Sequence, residues 1–218
     1  IYQFSGGSWT QLGSDIDGEA ASDLSGHNVS LSPDGTRVAI GAPTNDGNGS
    51  NSGHVRIYEY SSNNWTQLGN DIDGEAAGDR SGWRVSLSSN GSRVVIGAID
   101  NDGNGSDSGH ARIYDYDGSA WIQLGTDFDG KAASSRNGTS VSLSSDGTIV
   151  AVGSPFNAGY VKVYLLASES YQYFWDVDSG GVPSSGTYTT NVSGTDLAGN
   201  AYSGTDSITF TLDTTSPT

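Results

Sequence analysis

The sequence contains no cysteine. Disulfide bridges and thiolate metal sites are therefore excluded. That absence suits a bacterial-type exterior protein and a cytosolic one equally. Basic residues are scarce: nine Lys and Arg stand against 25 Asp and Glu, for a net charge of −16. Nucleic acid is not expected as a partner, because phosphate binding needs a clustered positive field. The sequence shows no apolar run long enough to cross a bilayer, so membrane insertion is not expected, and no signal peptide. It opens inside a repeat, so a leader further upstream is compatible with it. There is no helical hydrophobic period of useful length, and hydrophobic residues amount to only 33%.

What is present is glycine, 32 residues of it, and apolar residues gathered in short runs rich in Val, Ile, Tyr and Trp. Such runs, separated by glycine-bearing turns, read as many short strands. The fold class expected is all-β. The acidity has two readings. Solubility, including in a salty medium where repulsion is screened, accounts for the total charge. Binding of hard cations by carboxylate loops is the sharper reading for two particular loops.

The chain repeats itself. Trp9, Trp65 and Trp121 are spaced by 56 residues, and their surroundings recur. Residues 9–23 (WTQLGSDIDGEAASD) return at 65–79 and, altered, at 121–135. Residues 29–43 (VSLSPDGTRVAIGAP) return at 85–99 and 141–155, and 53–60 (GHVRIYEY) at 109–116 and 159–166. Ile1–Phe4 matches the end of that last segment. Each repeat reads as four strands. The first follows the Trp, and the second is VSLS. A turn at Asp34-Gly35, Asn90-Gly91 or Asp146-Gly147 leads to the third; such dipeptides favour the positive backbone angles of tight hairpins. The third strand, as at 37–42, is nearly continuous in apolar residues and should be buried on both faces. The fourth, 55–60, puts Val55, Ile57 and Glu59 on one face and Arg56, Tyr58 and Tyr60 on the other. Four antiparallel strands in a repeat of this length point to a β-propeller blade, with a stacked solenoid as the alternative. The repeats are set at about 5–60, 61–116 and 117–166, after one strand at 1–4. Three blades and one strand do not close a ring of the usual size.

The pattern SGxxVSLSxDGxxVAIGAP, then a loop, then GHVRIYEY, resembles the FG-GAP repeats of integrin-type β-propellers over residues 1–166. Gly41-Ala42-Pro43 and the following Gly-x-Val-x-x-Tyr strand carry the likeness. The Phe-Gly that names the family stands here as Ser25-Gly26, Ser81-Gly82 and Asn137-Gly138, and the family's calcium loop departs from its usual spacing. The resemblance implies an extracellular propeller used for adhesion or display, with calcium as a structural ion. Residues 168–218 differ in character. They resemble the second half of bacterial immunoglobulin-like repeats of large surface proteins, with Asp196-Leu197-Ala198-Gly199-Asn200 as the recognisable corner. A partial immunoglobulin-like β-sandwich module is expected there, without its opening strands.

The candidate ion loops come in pairs. Asp15, Asp17, Glu19 and Asp23 in repeat 1, and Asp71, Asp73, Glu75 and Asp79 in repeat 2, lie between the first and second strands. Asp46, Asn48 and Ser50, then Asp102, Asn104 and Ser106, alternate oxygen side chains with other turn residues between strands three and four. That alternation partly resembles the start of a calcium loop, although Asn-Asp-Gly-Ser runs are also ordinary turn material. Repeat 3 drops six residues of its second loop, and its first loop becomes Asp127, Asp129, Lys131 and Ser135. Joint loss is what a shared Ca2+ site would give, so Ca2+ is expected in repeats 1 and 2 and not in repeat 3.

Enzymatic readings are weaker. Asp15 and Asp17 could pair as acid and base for glycoside cleavage, but the pair recurs in every repeat whereas catalysis needs one site. His27, His54 and His110 form no recognisable ligand set, and Tyr160 replaces the last two in repeat 3, which favours packing or turn roles. Trp83 stands where repeats 1 and 3 have His27 and Thr139, and is the candidate for an exposed ligand contact. The expectation is a non-catalytic adhesion, display or assembly module of a large surface or filament-forming protein. Its partners would be a protein or glycan at a surface, or copies of itself. The alternative is a carbohydrate-binding, lectin-like propeller.

Overall fold

The structure is a computed structural model, and it describes residues 1–157, 159–166, 186–191 and 207–212. The chain divides into two compact units, Ile1–Ser168 and Glu169–Thr218. All regular structure described is β.

The first unit opens with a hairpin of β1 (Tyr2–Ser5) and β2 (Ser8–Gln11). Sheet 1 follows in the order β3 (Asn28–Leu31), β4 (Arg37–Ala42), β5 (His54–Ser61), β6 (Asn64–Gln67), with the short β7 (Ile72–Asp73) also on β5. Sheet 2 repeats this with β8 (Ser81–Leu87), β9 (Arg93–Ala98), β10 (His110–Tyr116), β11 (Trp121–Gln123) and β12 (Phe128–Asp129). Sheet 3 comprises β13 (Ser140–Leu143), β14 (Ile149–Ser154) and β15 (Tyr160–Leu165). All the strand pairs are antiparallel. These are successive meanders of propeller-blade type, as the repeat pattern predicts. In the second unit β16 (Gly186–Asn191) and β17 (Ser207–Leu212) pair antiparallel. The Asp196–Asn200 corner expected of an immunoglobulin-like module lies outside the described residues.

The phase of the repeat differs from the sequence reading. The Trp strand does not open its own blade. β6 pairs with β5 of the preceding sequence repeat, with Trp65 opposite Tyr60, and β11 likewise puts Trp121 opposite Tyr116. The cause is the turn. Ser62 and Asn63 both take positive φ, 51° and 63°, and join β5 to β6 as a two-residue mirror-image hairpin. Gly6 and Gly7, at 61° and 84°, do the same for β1 and β2. Nor are the three Trp residues equivalent in burial. Trp65 is buried and its Nε1 donates to the Leu12 carbonyl at 2.9 Å; Trp121 is half-buried and donates to the Leu68 carbonyl at 2.8 Å; Trp9 is exposed.

The Asp-Gly turns also differ from the tight form expected. Only the Gly takes positive φ, at 72°, 62° and 75° for Gly35, Gly91 and Gly147. Each turn closes from the Gly N–H to a Ser carbonyl three residues back. The side-chain oxygen of Asp34, Asn90 or Asp146 then gathers the neighbouring Ser hydroxyl and the N–H and hydroxyl two residues on. This is an Asx turn built from Ser-x-Asx-Gly-Thr/Ser text.

The sheets stack face to face. Ala39, Val55 and Ile57 of sheet 1 meet Val85, Leu87, Val94, Ile96 and Tyr114 of sheet 2. The far face of sheet 2, Val95, Ala111 and Ile113, meets Leu143, Val150 and Val152 of sheet 3. Fully burying one such Val or Ile is worth about 1.5–3 kcal/mol. The backbones approach closely at one point per interface. A Cβ built on Gly41 would overlap the Gly82 carbonyl oxygen, and one on Gly97 would overlap that of Gly138. Side chains of the outgoing blade cap the next inner strand: the Val85 N–H donates to Asn28 Oδ1 at 2.7 Å, and the Leu87 N–H to Ser30 Oγ at 3.0 Å.

Candidate functional site: repeat loops and end faces

The two kinds of loop named from the sequence do meet. The loop after β4 lies between two acidic loops, its own repeat's and the next one's. On one side the Thr44 N–H donates to the Asp23 carbonyl at 3.3 Å, and the Thr44 hydroxyl to the Ser22 carbonyl at 2.6 Å. On the other, the N–H groups of Gly78, Arg80 and Ser81 donate to the carbonyls of Ser50, Asn51 and Ser52 at 2.9–3.1 Å. The loop after β9 is held the same way against residues 134–137.

The named side chains divide among several tasks. Asp46 and Asp102 each cap their own loop, taking the Asn51 and Asp107 N–H at 2.7 and 2.8 Å. Asn48 Nδ2 reaches across to the carbonyls of Gly74 and Glu75, and Asn104 Nδ2 to that of Gly130. Ser50 and Ser106 contribute main-chain carbonyls to the next acidic loop. Asp23 and Asp79 are buried and accept from Asn45 Nδ2 and Asn101 Nδ2 at 2.8 and 3.0 Å. Asp15 accepts from Gln11 Nε2 at 2.9 Å, and Asp71 from Gln67 Nε2 at 2.6 Å. Asp17 and Asp73 are exposed, and Asp73 faces His54 across the ladder between β7 and β5. Trp83 is half-buried, with its ring centroid 4.5 Å from that of exposed His27.

Glu19 and Glu75 belong to a different grouping, which sequence reasoning passed over. Glu19, His54 and Asp71 converge, and so do Glu75, His110 and Asp127. Arg56 NH2 lies 2.9 Å from Glu19 Oε2, and Arg112 NH1 lies 3.4 Å from Glu75 Oε1. His110, with Gln123, holds the Asp127 carboxyl below its ordinary range, against the opposing effect of burial. The signal was in the repeat comparison. Where His becomes Tyr160, Glu becomes Lys131 and Arg becomes Lys162. In repeat 3 both ammonium groups, Lys131 Nζ at 4.5 Å and Lys162 Nζ at 5.6 Å, lie over the Tyr160 ring. The joint loss in repeat 3 thus touches two contacts: the Glu–His–Arg group, and the Asp–Asn hydrogen bond, whose acid becomes Ser135.

The family model for the FG-GAP repeat matches residues 15–58 and 72–114. Those two stretches together span about two fifths of the chain. No curated protein matches the chain. Among solved structures, a putative 6-phosphogluconolactonase from Bacteroides uniformis is 15% identical with a TM-score of 0.47, over 67% of this chain and 38% of its own. This chain therefore spans well under half of that protein. The periplasmic gluconolactonase PpgL of Pseudomonas aeruginosa is 12% identical with a TM-score of 0.37, over 91% of this chain and 69% of its own.

The end sheets expose outer faces whose repeat equivalents are buried between sheets. Val161 and Val163 of sheet 3 are 69% and 67% exposed, whereas their equivalents Val55 and Ile57 are 0% and 1% exposed. At the other end, Val29 and Leu31 are 58% and 51% exposed, whereas Val85 and Leu87 are 6% and 8% exposed.

Proposed function

We propose that the chain is a non-catalytic assembly module that stacks through its end faces with a second copy of itself. The observation that carries this is the pairing of those faces. The face with Val161 and Val163 is the repeat equivalent of the one that sheet 1 presents to sheet 2. The face with Val29 and Leu31 is the equivalent of the one that sheet 2 presents in return. Exposed apolar patches of this kind mark interaction sites. Two unlike, mutually complementary faces on one molecule form a head-to-tail contact, which closes a ring or extends a filament. An extracellular or surface setting, with adhesion or display as the purpose, accords with the FG-GAP repeats and the acidic surface. Against an enzyme stands the use of the polar loop residues: they recur in each repeat and hold one blade to the next.

Multi-angle light scattering on the 218-residue chain tests this. The chain is expected to form concentration-dependent oligomers. Val163→Glu should block one face and Val29→Glu the other, each giving monomers alone. Mixed together they should give dimers and nothing larger, since each variant keeps one intact face. A monomer at every concentration would overturn the proposal and leave these faces to other segments of a longer polypeptide.

A further inference from the structure

We propose that Glu75, His110 and Asp127 form a divalent transition-metal site of the zinc type, and that Glu19, His54 and Asp71 form a second, weaker one. Each imidazole is buried, His54 at 3% and His110 at 1% exposure, and Nδ1 of each has no hydrogen-bond partner. A buried polar nitrogen without a partner is costly. Both Nδ1 atoms lie near carboxylate oxygens. His110 Nδ1 lies 3.3 Å from Asp127 Oδ2 and 3.7 Å from Glu75 Oε2. His54 Nδ1 lies 3.5 Å from Asp71 Oδ2 and 3.7 Å from Glu19 Oε2. All four spacings are longer than a charge-assisted hydrogen bond, ~2.7–2.9 Å. They suit an ion at the centre: donors ~2.0–2.1 Å from a tetrahedral Zn2+ lie about 3.3–3.4 Å from one another.

The neighbours fit the same occupant. In the second group Arg112 engages Glu75 Oε1 and Gln123 Nε2 donates to Asp127 Oδ1 at 2.7 Å, which leaves Asp127 Oδ2 facing His110 beside Glu75 Oε2, an oxygen that also takes a long contact from Asn101 Nδ2 at 3.5 Å. Outer partners of this kind orient ligands around a metal. In the first group Arg56 NH2 shares Glu19 Oε2 with the would-be ion, which weakens that site. Two carboxylates against one guanidinium leave each group negative when its imidazole is neutral. The partly exposed Glu and Asp side chains give an ion a way in from solvent. One nitrogen and two carboxylates favour zinc-like ions over Ca2+, which takes six to eight oxygens. This donor set is distinct from the Asp46 and Asp102 loops.

The test is calorimetric titration of the chelator-treated chain with Zn2+, followed by Co2+ with visible absorption to report tetrahedral coordination. Two unequal sites per chain are expected, both weakening as the pH falls, because the ligands must be deprotonated. The informative variant is Glu75→Lys with His110→Tyr, the combination that repeat 3 carries at these positions. It should remove the tighter site and leave one. Adding Glu19→Lys with His54→Tyr should abolish binding. Should the double replacements fold poorly by circular dichroism, Glu75→Gln alone, at an exposed position, should lower Zn2+ affinity at least tenfold. Absence of Zn2+ and Co2+ binding, binding untouched by these changes, or a Co2+ spectrum of octahedral type would overturn the proposal.

Discussion

At the scale of single residues, the turn aspartates illustrate how short text becomes stored charge stabilisation. Asp146 Oδ1 accepts from the Ser144 hydroxyl at 2.6 Å, the Thr148 N–H at 3.0 Å and the Thr148 hydroxyl at 2.9 Å. These three donors favour the ionised form, led by Ser144, and lower the carboxyl from its ordinary value to about 2. A depressed folded-state pKa means that the stabilising contribution is present above the unfolded value. It is lost as the pH falls through the folded one. The β13–β14 turn is therefore expected to hold at pH 5 and to loosen between about pH 4 and 2. NMR titration of the Asp146 carboxyl would check this, and a midpoint near 4 would contradict it. The turns were legible, because Ser-x-Asx-Gly spells them out. The His54 and His110 groupings were not. Their carboxylate partners come from two different loops, far apart in sequence, which only the strand pairing brings together.

At the scale of elements, the strands and their alternation followed from pattern, but the boundaries of the blades did not. Val55 and Ile57 fall on a buried face as period two requires. The blade boundary is ambiguous in the local text because Trp65 stands next in sequence to two blades at once, and the turn before the Trp strand decides between them. Gly6-Gly7 is a two-residue hairpin signal, and it binds the Trp strand backward to the strand before it. The contact between blades is a matter of elements too. Gly97 has a carbonyl of the next blade where its side chain would be, whereas a Cβ on Gly153, its equivalent in sheet 3, would meet nothing nearer than Ser140 Cβ at 3.3 Å. Gly97→Ala should force sheets 2 and 3 apart and cost about 1–3 kcal/mol or more, as overpacking does. Gly153→Ala should fall within about 0.5 kcal/mol of the parent. Urea denaturation of the two variants side by side provides the comparison. Equal losses would show that the close approach is not what demands glycine.

At the scale of the whole molecule, charge and apolar end faces act in opposition. A net charge of −16 repels each copy from the next, while the exposed Val29, Leu31, Val161 and Val163 would form a dry contact in the proposed assembly. Salt screens the first and leaves the second. Self-association is therefore expected to strengthen as sodium chloride rises from about 0.05 to 0.5 M, over which the Debye length shrinks severalfold. An interface made of ion pairs would weaken instead, and sedimentation velocity at the two concentrations separates the cases. The offset between sequence repeat and sheet has a further consequence, for how such chains grow. Because β6 and β11 close sheets begun by the preceding repeat, sheets 1 and 2 are each completed by a strand from the next repeat. A genetic duplication or deletion of 56 residues, begun at any point in the period, would change the number of blades and leave every hairpin with its own partner. Such a change of length would keep the strand pairing of sheets 1 and 2 intact.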